Sequence, residues 1–136
     1  MIVVRERKRG SWRSLSRDDI EDVASEVALR GRLEGVLSWA EERLDTGDAI
    51  RIKIEDKATL RIRAWSNSYS MSGSVKSTTM FLEPTSPPGS LDELFKRGVD
   101  LLASGKEASF KDPGLQSFRM RLKDGRFLFS FLVVKV

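Results

Sequence analysis

The 136-residue sequence contains no cysteine and no histidine. The first absence excludes disulfides, thiolate metal sites and cysteine nucleophiles. The second removes the commonest general base and, with cysteine gone, any zinc centre built on nitrogen and sulfur ligands. Carboxylates, lysine, serine and a single tyrosine are left for catalysis. No apolar run approaches the roughly 20 residues of a membrane-spanning helix. Residues 1–5 (MIVVR) are too few in apolar side chains for a signal peptide, so a cytoplasmic protein with no membrane partner is expected. Asn and Gln occur once each and arginine (15) outnumbers lysine (9), a mix that suits a thermophile. The composition leans toward binding.

With 40% hydrophobic and 32% charged residues, the chain is long enough for one core and too short for two. Its net charge of +4 is unevenly distributed. Residues 1–14 carry Arg5, Arg7, Lys8, Arg9 and Arg13 against Glu6. Residues 15–47 sum to −5, 48–82 to +3, 83–105 to −2 and 106–136 to +4. The acidic segments have helical periodicity and the basic ones alternate as strands. Such sorting places cations on one face of the molecule.

Ser16 with Asp19, preceded by Leu15 and followed by Ile20, predicts a helix start with a capping box and a hydrophobic staple. The apolar stripe runs from Ile20 through Val27, then from Leu33 to Leu44, with Gly31 and Gly35 able to divide it into two helices. A second helix begins at Ser90, capped with Glu93, and stops at Gly105. The acidic cluster Asp18, Asp19, Glu21 and Asp22 is explained by the positive end of the first helix, so no metal role is assigned to it.

Ile50–Ile54 and Leu60–Trp65 alternate strictly and predict a hairpin closed by Asp56-Lys57-Ala58. That register sets Lys53 opposite Arg61 and Arg51 opposite Arg63. The second strand is expected to run on through Trp65, Asn67, Tyr69 and Met71, and a third to span Val75–Leu82. The chain closes with a hairpin turning at Asp124-Gly125, in which Leu122 faces Phe127, Met120 faces Phe129 and Phe118 faces Phe131. The expected fold is α+β. An antiparallel sheet of about five strands carries an N-terminal amphipathic helix or helix pair, and a second helix, on one face. Residues 1–14 are expected as a basic N-terminal arm or edge strand and 15–136 as a single domain.

Alternation then assigns the outer face of the sheet. It presents Arg51, Lys53, Arg61, Arg63, Trp65 and Tyr69 from the first strands, with Lys76 beyond them, and Arg119, Arg121 and Lys123 from the last hairpin. Like charges facing across strands cost on the order of 0.2–1 kcal/mol per pair, and a bound polyanion removes that cost. Cations interleaved with aromatics on an open sheet suit single-stranded nucleic acid, whose phosphates need charge and whose bases need flat stacking surfaces. The competing reading is that these cations only solvate a half-exposed sheet and that Trp65 lies under a helix. The arm with Trp12 is a second candidate for phosphate contacts, against the plainer reading of a solvated terminal charge run. Trp39 belongs to the core stripe.

The row Arg61, Arg63, Trp65, Tyr69 and the hairpin 118–131, set in the order helix, meander, helix, hairpin, resembles the ThermoDBP family of archaeal single-stranded-DNA-binding proteins. The resemblance covers residues 15–136. It implies an antiparallel sheet facing helices, with a hydrophobic, aromatic-bearing cleft between the sheet and the helices, and single-stranded DNA as the ligand. Two functions are carried forward. The first is a non-enzymatic single-stranded nucleic-acid-binding protein without cofactor or metal. The alternative is a non-catalytic interaction subunit docking through the apolar strand 132–136. Homodimerisation is left open by the sequence.

Overall fold

Period-two alternation dominates the described residues outside three helices. The computed structural model describes residues 2–25, 32–76, 91–112 and 115–134. In chain order the elements are β1 (Ile2–Lys8), β2 (Ser11–Ser14), α1 (Arg17–Ala24), α2 (Leu33–Arg43), β3 (Ala49–Ile54), β4 (Ala58–Ala64), β5 (Ser68–Val75), α3 (Leu91–Ala103), β6 (Ala108–Asp112), β7 (Leu115–Lys123) and β8 (Arg126–Val134). The strands form one sheet in the order β2-β1-β3-β4-β5-β8-β7-β6, and every neighbouring pair is antiparallel.

The fold is α+β as expected, with eight strands rather than about five. Strands β2 and β6 were not expected, β1 comes from the segment expected as an arm or edge strand, and β5 from the expected continuation of β4. Residues 2–14 form a hairpin whose first strand pairs with β3 from Ile2↔Ile54 to Arg7↔Ala49. The segment anticipated as an arm or edge strand is thereby built into the sheet.

Two further corrections concern β3 to β5. The β3–β4 turn is Glu55-Asp56-Lys57, with Glu55 at φ +47, so the pairs are Arg51↔Arg61, Ile52↔Leu60 and Ile54↔Ala58. The register has slipped by two residues from the expected one. Faces are unchanged because the slip is even. Burial of Ala58, 1% exposed, adds a core pair that the longer-range expectation left in the loop. The second difference is a reversal at Trp65-Ser66-Asn67, where the Trp65 N–H donates to the Ser68 carbonyl at 2.8 Å. What was expected as a continuation of β4 is its antiparallel partner, with Ala64↔Tyr69. Residues 77–82 of the anticipated third strand and the Ser90 cap lie outside the described residues.

The last hairpin follows the expected register, from Lys123↔Arg126 to Arg119↔Ser130. Asp124 and Gly125 both take positive φ, +52 and +74, as a type I′ turn requires. Beyond Arg119 the pairing shifts at a bulge containing Ser117 at φ +54. The Phe118 and Phe131 rings still stack, with centroids 5.8 Å apart.

The core lies between the helices and one face of the sheet, among Ile50, Ile52, Leu60, Ile62, Met71, Phe95, Phe118, Phe129 and Phe131. Gly98 of α3 lets that helix settle onto β7: an added Cβ would meet Phe118 Cε1 at 3.1 Å and Met120 Cε at 3.2 Å. The divided first stripe becomes α1 and α2. Ser16 caps α1 by accepting from the Asp19 N–H, while its hydroxyl donates to Asp19 Oδ2 at 2.8 Å.

The start of α2 has no local side-chain cap. Asp92 of α3, 4% exposed, accepts from the N–H groups of Leu33 (2.7 Å) and Glu34 (3.3 Å). Glu34 returns the favour by accepting from the Leu91 N–H at 2.8 Å. Each helix thus caps the other, satisfying donors that a helix N-terminus otherwise leaves orphaned.

A second buried carboxylate, Glu6 of β1, is fully enclosed. Its two oxygens accept from Arg13 of β2 and Arg43 of α2, both at 3.1 Å, and Arg43 also reaches Asp19 of α1 at 3.0 Å. Because Glu6 cannot leave the interior when Arg43 is truncated, Arg43→Met should destabilise the protein by about 3 kcal/mol, the low end for a broken buried pair since Arg13 remains. Asp92→Ala should cost about 1–2 kcal/mol through loss of the cap. Urea unfolding of both variants checks these values. A cost below that of an ordinary surface substitution at either site would show that the network or the cap contributes little.

Candidate functional site

The face of the sheet turned away from the helices is built from the other half of the alternation. One cross-strand row contains a residue from every strand: Ser14, Arg5, Arg51, Arg61, Ser72, Ser130, Arg119 and Ser109. It holds only serine and arginine. The neighbouring row on one side includes Lys53, Thr59, Ser74, Leu128 and Arg121, and on the other Arg7, Ala49, Arg63, Ser70 and Leu132. No carboxylate is among the outward side chains described for β1, β3, β4, β5, β7 and β8.

Ion pairing separates the two faces. The arginines away from the outer sheet face at positions 13, 17, 43 and 97 each lie within 4.0 Å of a carboxylate. Among the described residues, Arg51, Arg61, Arg63, Arg119 and Arg121 of the outer face form no such pair. Arg5, Arg51 and Arg61 stand in successive pairing positions on three adjacent strands. The expected like-charge pairs Lys53/Arg61 and Arg51/Arg63 are replaced by this run, while Lys53 faces Thr59 and Arg63 faces Ala49.

Serines at 68, 70, 72 and 74 occupy the outward positions of β5. They form the low floor between the arginines of β4 and those of β7, three strand spacings or about 14 Å away. The result is a groove of about 870 Å³, with Arg61 on one bank, Arg119 and Arg121 on the other, and Ser72, Ser74, Ser130 and Leu128 between them. Glu107, just ahead of β6, is the carboxylate on its rim. Arg126 closes one end, donating to Ser74 Oγ at 2.6 Å and to the Asp56 carbonyl at 3.0 Å.

Two tryptophans lie on this face. Trp65, 42% exposed, carries the Arg63 guanidinium 4.1 Å from its ring centre and donates its indole N–H to Ser70 Oγ at 3.0 Å. Its exposure answers the competing expectation of a tryptophan under a helix. Trp12 packs beneath Arg51, 4.3 Å from its ring centre, with Arg7 at 5.8 Å.

The anticipated residues Arg51, Lys53, Arg61, Arg63, Trp65, Arg119, Arg121 and Lys123 all share the outer face. Tyr69 does not. The reversal at 65–67 turns it to the helix side, where it packs against the core. Lys76 sits beyond β5 in an exposed ion pair with Asp56, 3.3 Å, and holds that carboxyl below its usual range by hydrogen bond and charge. The residues not anticipated on this face are Arg5 and Arg7, expected within an arm or edge strand, Trp12 as the stacking partner of Arg7 and Arg51, and the serine floor. The serines were visible as a period-two pattern, Ser68-Tyr-Ser70-Met-Ser72-Gly-Ser74. Strand β8 lies between β5 and β7, so both its edges are paired, and among the described residues its outward apolar side chains are Leu128, Leu132 and Val134.

No family model, curated protein or solved structure matches the chain.

The run of arginines makes a stability prediction opposite in sign to most surface substitutions. Arg61→Thr removes one member of the Arg51↔Arg61 pair and installs a good strand former, so the variant should gain roughly 0.2–1 kcal/mol. The gain should shrink as salt screens the repulsion. Urea unfolding at low and high ionic strength measures both; a variant less stable than the parent at low salt would mean the arginines do not repel.

Proposed function

We propose that the chain is a non-enzymatic single-stranded nucleic-acid-binding protein, with single-stranded DNA the favoured ligand, acting through the outer sheet face. The observation that carries this reading is that, among the described residues, the arginines aligned on that face have no carboxylate within 4.0 Å. The chain has carboxylates to place and pairs the arginines at 13, 17, 43 and 97 with them. Unpaired, mutually facing guanidinium groups are costly in the free protein and favourable once phosphates lie among them.

The groove favours a single strand over a duplex. Phosphates can follow the banks of Arg61, Arg119 and Arg121, while bases meet the low floor and the exposed ring of Trp65. Stacking of a base on an aromatic ring contributes about 1–3 kcal/mol. Duplex DNA presents no open base faces and gains only the charge contribution. The resemblance read in the sequence implies the same ligand, but the face proposed here, with Trp65 and Trp12, is the one turned away from the helices and not the cleft between sheet and helices that the resemblance implies.

Binding of oligo-dT, followed by tryptophan fluorescence over a series of salt concentrations, tests the proposal. Three or four engaged cations predict a log–log slope of about −2 to −3. Arg119→Ala should lower its magnitude by somewhat under one. Trp65→Ala should weaken binding by about 1–3 kcal/mol with little change in slope, because stacking releases no counterions. Duplex that competes as well as single strand would make this face a generic polyanion patch. Absence of any binding, with self-association instead, would favour the interaction-subunit reading.

A further inference from the structure

Beside the groove, on its β1 side, lies a smaller hollow of about 260 Å³ on the same outer face. Its floor is Ala49, the small outward residue of a strand whose other outward positions are Arg51 and Lys53. Arg7 and Arg63 are the pairing neighbours of Ala49 on either side, and Arg51 and Arg61 line the next rung. Four guanidinium side chains therefore surround one methyl group. Trp12 forms the wall on the side of the edge strand β2, and among the described residues no carboxylate lines the hollow.

The hollow and the groove share Arg61 and Ser72, so a strand lying in one reaches the other directly. Beyond the hollow stands Trp12, and beyond Trp12 the sheet ends. Internal phosphodiesters carry one negative charge each. A terminal phosphomonoester carries nearly two at neutral pH and offers three strong acceptor oxygens. Arginine forks bind such groups through paired N–H···O contacts. Four cations around one small volume match the denser charge better than a passing diester.

From this geometry we propose that the hollow bounded by Arg7, Arg51, Arg61, Arg63 and Trp12 binds the terminal phosphate of a single strand held in the groove. The inference rests on the nucleic-acid reading and adds end recognition to it.

The test compares oligo-dT of one length carrying a 5′-phosphate, a 3′-phosphate or hydroxyls at both ends. At fixed salt, a phosphate at one end should tighten binding by about tenfold, the scale of an added set of charge-assisted hydrogen bonds. Ala49→Glu places a carboxylate between Arg7 and Arg63, where opposite charges across strands support the fold. It should reduce the difference to within about twofold, as should Arg7→Gln, which adds no charge repulsion of its own. Equal binding of all three oligomers to the parent overturns end recognition and leaves the nucleic-acid reading standing. A phosphate preference that survives in both variants places the recognition elsewhere and also overturns it. Thymidine monophosphate displacing the phosphorylated oligomer at equal concentration would make the hollow a mononucleotide site, not a strand-end site. If no oligomer binds, both readings fall together.

Discussion

Glu6 joins the parts of the molecule that the candidate interface needs. A carboxylate removed from water is tolerable only when its charge is met, and Arg13 and Arg43 meet it from opposite sides. Arg43 is in turn held by Asp19, so one buried group ties β1, β2, α2 and α1 together. Lys8 reinforces the junction by donating to the Arg43 carbonyl, 2.8 Å, at the negative end of α2. The hairpin β1–β2 is consequently held to both the sheet edge and the helices. Arg5, Arg7 and Trp12 face outward from that same hairpin. Their positions depend on the inward-facing neighbour that anchors it.

Charge is handled by opposite rules on the two faces. Toward the helices, every buried acid is matched: Glu6 by arginines, Asp92 by two backbone N–H groups, Asp48 by the Asp45 N–H at 3.1 Å. Among the described residues no buried side-chain polar atom lacks a partner. On the outer face, arginines are placed opposite one another, and among the described residues the carboxylate beside them is Glu107 at the groove's rim. Stability alone would mix the signs there, as it does on the helices, where Arg97 and Glu93 pair one turn apart. Repulsion across Arg5, Arg51 and Arg61 is modest per contact and screened by water and salt, so the sheet's buried Ile, Leu and Phe carry it without difficulty. Under the proposed function the arrangement is a preorganised one: the cations are already aligned, and the charge of a bound anion would replace their repulsion.

The face assignment was legible because it needs only parity. Ile50, Ile52 and Ile54 are buried and Arg51 and Lys53 exposed whichever register the hairpin adopts. The register itself was not legible, since Glu55 takes a left-handed conformation that no local residue type demands. Asp124-Gly125 made the last hairpin readable for the opposite reason: its dipeptide matches one turn type. Tyr69 was misplaced because serine alternation continues through Trp65-Ser-Asn-Ser-Tyr69, hiding a reversal made by backbone hydrogen bonding. The caps at Asp92 and Glu34 join residues almost sixty positions apart and leave no trace in either helix's own sequence. β1 and β2 were obscured by their charge. Arg5, Arg7 and Arg13 read as a solvated tail until Glu6 is seen inside the core and the arginines divide between the two faces.

The small residues on the outer face have a geometric consequence as important as that of the large ones. Had β5 carried arginine at positions 70, 72 and 74, the face would be a continuous layer of long side chains with no depression. Serine at those positions lowers the middle of the sheet while keeping it polar, and Ala49 does the same beside Arg7 and Arg63. Gly73 has a related role from the inner side: an added Cβ there would meet Leu60 Cδ2 and Phe129 Cε1, both at 2.9 Å, so glycine keeps β5 close between its neighbours. The depth of the groove is therefore set by deletions of side-chain volume on one strand, and its charge by additions on the strands around it. A ligand that exploits both must be thin enough to enter between arginine banks and anionic enough to satisfy them. A single nucleic-acid strand has both properties, which is why the serines count in the functional argument alongside the arginines.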